Sequence, residues 1–136
     1  MIAKLFLMLI GLMYIALSVW CSVKPEATST KVGLSRTVGQ GESEFLVIYG
    51  GMELGLAIVF LLPWFKPDSL PTVLLACTIL HGCLVAYRLA SFAIYSEFTS
   101  MTYSLAAGEV LIFTTSLWLT WQNVRGSTSD GTLTSF

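Results

Sequence analysis

The stretch FLVIYGGMELGLAIVFLLPWF, Phe45–Phe65, carries a single charge, Glu53, in an otherwise apolar run. A helix of about 20 residues, rising 1.5 Å per residue, crosses the hydrocarbon core of a bilayer. The run shows no alternation of apolar and polar residues, so it reads as a helix and not as a strand of a membrane barrel. A helix also satisfies its own backbone groups, which lipid cannot do. This stretch therefore predicts a transmembrane helix over 45–65.

Working outward, three further runs have the same character. Residues 2–20 hold only Lys4, residues 70–95 hold His81 and Arg88, and residues 103–122 hold Glu109. A polar Ser/Thr/Gly-rich connection, 21–44, separates the first two runs, and periodicity does not decide whether it holds a short helix or a hairpin. A polar tail, 123–136, follows the last run and is expected to fray. Pro63 and Pro67 are expected to bracket the turn after the second run, and Pro71 suits the first turn of the third helix. The expected fold is all-α: a single integral membrane domain built as a four-helix transmembrane bundle. Lys4 followed by an apolar run also suits a secretory signal, but Trp20 and Cys21 stand where a cleavage site needs small residues. The first run is therefore read as a retained span.

Composition agrees. The 136 residues are 55% hydrophobic and 11% charged, with a net charge of -1, and the mean hydropathy is +0.79. A soluble domain carries about 25% charged residues. The charge balance excludes nucleic acid as a partner, since phosphate recognition needs a basic field. It also excludes a disordered chain, which is polar and highly charged. Cys21, Cys77 and Cys83 contain no C-x-x-C pair and read as small apolar packing residues. No Cys/His/Asp set has metal-ligand spacing. No nucleophile–base pair or phosphate loop is visible, and the residues name no cofactor.

Orientation follows the Lys and Arg residues close to span ends. Lys4, Lys66 and Arg125 lie on the side of the two termini, against Lys24, Lys31 and Arg36 on the loop side, so the termini are expected in the cytoplasm. Trp20, Trp64, Trp118 and Trp121 fall near span ends, the level of interfacial aromatics.

Glu53, Arg88 and Glu109 remain inside the apolar runs. A charged group at a helix centre costs about 2.5–3.5 kcal/mol on insertion scales, so such residues pair or serve a function. Measured from the loop side, Glu53 lies about 12 Å deep, Arg88 about 10 Å and Glu109 about 9 Å. Three helices thus bring a charge to a similar level and are expected to meet there. Arg88 suits a bidentate contact with one carboxylate, leaving the other over. Tyr14 falls in the same half of the membrane, Tyr49 lies one turn before Glu53, and His81 lies two turns before Arg88, read first as a packing histidine. Gly51 and Gly55 form a G-x-x-x-G, and Gly82, Ala86 and Ala90 form a small-residue stripe; both are expected to mark close helix packing, as are Ala106, Ala107 and Gly108.

The stretch Ser43–Ala57, SEFLVIYGGMELGLA, resembles a family of small bacterial four-span membrane proteins of unknown function that looks related to the DoxX-like group. The pattern is an acidic residue, then Tyr-Gly-Gly, a short gap and Leu-Gly. Arg88, Glu109, Tyr14 and the Pro25-Glu26 pair also match it. Members often carry an Arg just after the acidic residue, where this chain has Leu46, so the charge balance differs here. The resemblance implies four spans in the bacterial inner membrane and supplies no activity or cofactor.

Three uses of the buried charges stay open: a Glu–Arg–Glu lock between helices, a polar-anchored ligand cavity, and proton or ion transfer. The leading expectation is a non-enzymatic module. It would serve as a subunit of a larger membrane complex, or would hold a lipid-like or quinone-like ligand on Glu53 and Glu109 with Arg88 as organiser. The competing class is a membrane enzyme or proton-coupled carrier. Expected partners are membrane lipid and a larger complex or a second copy of the chain.

Overall fold

The computed structural model describes residues 1–130, with side chains to residue 125. The described residues form helices and connections, with no strand among them. They fall into two compact units, Met1–Pro67 and Asp68–Phe136.

The first unit is built on two long helices. α1 spans Ile2–Val23. It stops where Pro25 follows, because proline disfavours helical geometry in the residue before it, and Lys24 has φ -128°. Proline suits the first turn of a new helix, and Pro25 opens α2, Pro25–Lys31. After a short connection come α3, Gln40–Phe45, a π-helical segment, Leu46–Met52, and α4, Glu53–Phe65. These three run on as one long helix, Gln40–Phe65. Gly39 sets its start: φ is +77° there, a conformation that only glycine adopts freely. Its N–H donates to Glu42 Oε2 at 3.2 Å, satisfying a backbone group that the helix leaves over.

Stretch 21–44 is therefore not one connection. α1 continues to Val23, α2 fills its middle, and the second long helix begins at Gln40. Pro63 does not flank the turn either; it lies buried inside α4. The helix survives because the lost hydrogen bond falls near its end, and the Lys66 N–H donates to Leu62 O at 2.8 Å to close it.

α1 packs antiparallel on α4 and the π segment. Leu7, Ala57 and Phe60 form the buried centre. Tyr14 meets Phe60 edge to face, with centroids 5.5 Å apart. At one end Trp64 Nε1 donates to Lys4 O at 3.3 Å. At the other, Ser18 Oγ donates to Gly50 O at 2.7 Å.

The second unit is also a hairpin. α5, Leu70–Ile94, has a proline in its first turn, and packs antiparallel on α6, Ser100–Asp130. Leu74, Cys77, Ser116 and Leu119 lie in its core. Phe92, Phe98 and Tyr103 cluster around the connection, with centroids 4.8–6.3 Å apart. Glu97 holds a left-handed φ of 66° in that connection. α6 continues through 123–130, where a frayed tail is expected, and residues 131–136 lie outside the described residues.

Among the described residues, three helices are long and apolar enough to cross a membrane: Ile2–Val23, Gln40–Phe65 and Pro67–Ile94. α6 has the length, at 31 residues, but is not one of the three. Glu109 and the hydroxyls Ser104, Thr114, Thr115, Ser116 and Thr120 dilute its apolar character. Four apolar spans are expected from the sequence; the described helices supply three and one of mixed character.

Candidate functional site

Glu53 is the first residue of α4, directly after the π segment. π turns are uncommon and frequent at functional sites. Here the Tyr-Gly-Gly motif itself is wound this way, and Gly50 is its buried residue. The Gly50 carbonyl accepts two donors, Ser18 Oγ from α1 and the Glu53 N–H. One carbonyl oxygen thereby ties the backbone of Glu53 to the neighbouring helix. A Cβ at Gly50 would stand 2.8 Å from Ser22 Oγ, so any larger residue needs that hydroxyl to turn aside. The side chain of Glu53 is half-buried, and its Oε2 is buried without a hydrogen-bond partner among the described residues. A buried oxygen left so costs about 1–3 kcal/mol, more when charged. Tyr49 is half-buried, and its ring stacks on Phe45 at 4.6 Å. Tyr14 is buried in the α1–α4 core.

The second hairpin holds the other two charges. Arg88 Nε donates to Glu109 Oε2 at 3.0 Å, and Nη2 donates to Oε1 at 2.6 Å. The contact is bidentate, the strongest form of this pair. The two side chains are 27% and 16% exposed. Glu53 belongs to the first hairpin, and the Arg88–Glu109 pair to the second.

His81 is buried in α5, with Nδ1 2.9 Å from the carbonyl oxygen of Cys77 one turn earlier. Cys77 and Ser116 are fully buried beside it, and Thr78 and Thr120 join hydroxyls at 3.0 Å. This polar seam is hard to read in the sequence, because single Ser and Thr residues in apolar helices are common. Among the described residues, no three His, Cys, Asp or Glu side chains gather as a metal set.

The small residues divide. A Cβ at Gly82 would stand 2.9 Å from the ring of Phe113, so this glycine carries close packing of α5 on α6. Gly51 and Gly55 have nothing within 4 Å of a Cβ, and Gly108 likewise; Ala86 is exposed. The close approach in the first unit falls instead on Gly11 and Gly50, with Gly11 under Leu61 and the Ala57 carbonyl. The signal for this face was present: Leu7, Gly11, Tyr14, Ser18 and Cys21 recur at helical spacing, and all are buried. G-x-x-x-G is a spacing rule, and it does not say which face of α4 meets α1.

No family model, no curated protein and no solved structure matches this chain.

Proposed function

We propose that the chain is a four-span membrane protein that binds an amphiphilic ligand, with Glu53 as the polar anchor and no chemistry of its own. The observation that carries this reading is the buried Oε2 of Glu53, which no described residue satisfies. Both oxygens of Glu109, by contrast, have donors from Arg88. A buried carboxylate oxygen without a described partner, in an apolar helix, is suited to a donor brought by a ligand, such as a quinol hydroxyl or a lipid headgroup N–H.

α6 is the fourth span in this reading. Its polar atoms are largely satisfied inside the hairpin, which is what lipid demands. Ser104, Thr114 and Ser116 donate to carbonyls of their own helix, Thr120 meets Thr78, and Glu109 meets Arg88. The resemblance of Ser43–Ala57 to the DoxX-like four-span group supports the same count and a bacterial inner membrane. Lys4, Lys66 and Arg125 put both termini in the cytoplasm. Reporter fusions at the carboxyl terminus are expected to report the cytoplasmic side; a periplasmic signal overturns either the fourth span or the orientation.

The ligand is tested by native mass spectrometry of the detergent-extracted protein. The parent is expected to retain a co-purified amphiphile, and Glu53→Leu to lose it while remaining folded. Equal retention by both proteins overturns the role of Glu53.

A further inference from the structure

The polar segment after α1 borders an open cleft of about 850 Å³, lined among others by Val23, Lys24, Glu26, Arg36, Glu42 and Leu46. Small-molecule sites occupy roughly 300–1,000 Å³. The cleft borders both apolar helices of the first unit: Val23 ends α1, and Leu46 opens the π segment. Trp20 stands at the same end of α1, with the Lys31 ammonium 4.8 Å from its ring centroid. Tryptophan favours the headgroup level of a bilayer, so the cleft opens at that level.

Its rim carries two cations and two carboxylates. Two of the four are held in place by the protein. Arg36 Nε donates to Ser29 Oγ at 3.0 Å, and its guanidinium lies 5.6 Å from the Phe45 ring centroid. Glu42 Oε2 accepts the Gly39 N–H. Groups already ordered lose less freedom when a ligand binds. Lys24 and Glu26 are exposed on either side of Pro25. A simple anion gains from Lys24 and Arg36 but is repelled by Glu26 and Glu42. A zwitterion with both charges a few bonds apart gains from both pairs. A primary ammonium also donates hydrogen bonds to carboxylates, which a quaternary ammonium cannot do.

We propose that this cleft binds the headgroup of an ethanolamine phospholipid. The phosphate meets Lys24 and Arg36, the ammonium meets Glu26 and Glu42, and the acyl chains leave past Val23 and Leu46. The site is distinct from Glu53 and rests only on the membrane reading above.

The test uses the full chain, recovered from alkali-washed membranes, delipidated in detergent and titrated with single phospholipids under native mass spectrometry. Retention of phosphatidylethanolamine is expected at about tenfold lower concentration than of phosphatidylcholine or phosphatidylglycerol, the size of one charge-assisted hydrogen bond. Glu26→Gln, a change on an exposed side chain with no described hydrogen bond, is expected to remove most of that preference, and Lys24→Gln to weaken all three lipids. Phosphatidylglycerol binding as tightly as phosphatidylethanolamine overturns the proposal, as does an unaltered preference in Glu26→Gln. Free phosphoethanolamine displacing the lipid at equal concentration overturns the assignment to a lipid. Release of the chain by the alkali wash overturns the membrane reading itself, an outcome separate from any lipid preference.

Discussion

Arg88→Leu is expected to destabilise the second hairpin by about 2–3 kcal/mol: removing one partner of a fully buried ion pair costs about 3–5 kcal/mol, and this pair is part-buried, its side chains 27% and 16% exposed. The guanidinium makes two hydrogen bonds to Glu109, one to each carboxylate oxygen. Leucine removes both and leaves the part-buried carboxylate on α6 with neither donor. The size of the effect comes from that stranded charge more than from the attraction lost. The double variant Arg88→Leu/Glu109→Leu removes the stranded group as well, and is expected to recover most of the loss. Arg88→Lys keeps the charge but not the two-pronged geometry, and falls between. Unfolding in mixed micelles by titrated dodecyl sulfate, followed by circular dichroism, measures all three. Equal midpoints for the parent and Arg88→Leu would show that the pair contributes nothing.

Gly11→Leu is the second large effect, acting on the first hairpin. A Cβ at this position already stands 2.9 Å from Leu61 Cγ and 3.2 Å from the Ala57 carbonyl oxygen. Leu61 can turn aside, but the Ala57 backbone belongs to α4 and cannot. The larger side chain forces α1 away from α4, at a cost of about 1–3 kcal/mol for overpacking, and the loss of Tyr14–Phe60 contact adds to it. Gly55→Ala is the contrast. With open space around it and a helical backbone, alanine there is expected to stabilise by about 0.5–1 kcal/mol through helix propensity. The same titration reads both variants. Destabilisation by Gly55→Ala would mean that the G-x-x-x-G face is packed after all.

Helix existence was legible wherever apolar residues ran on without interruption. The runs 2–20, 45–65 and 70–95 correspond to long helices with ends a few residues away. The ends moved where local chemistry competed with composition. Polar residues at Gln40–Glu44 extend the second long helix because Gly39 and Glu42 cap it. Polar residues 123–130 continue α6 because polarity alone does not end a helix, and no proline interrupts its backbone bonds there. The π winding of Leu46–Met52 left no trace in residue spacing. It appears only with Ser18 of α1 bonded to the Gly50 carbonyl.

The candidate site divides along the same line. Glu53, Arg88 and Glu109 stand out in the sequence because a charge among apolar residues is costly and therefore visible. Which charge pairs with which is a matter of distance, and distance belongs to the folded chain. The sequence by itself determined an all-helical chain with long apolar helices and three charges embedded in apolar runs, since hydropathy and the cost of burying charge are local properties. Only the tertiary structure decided that Arg88 meets Glu109 and that Glu53 Oε2 has no described partner. It alone placed the close helix approach at Gly11, Gly50 and Gly82. Those outcomes depend on which face of each helix meets its neighbour, and a sequence states faces only up to a rotation about the helix axis.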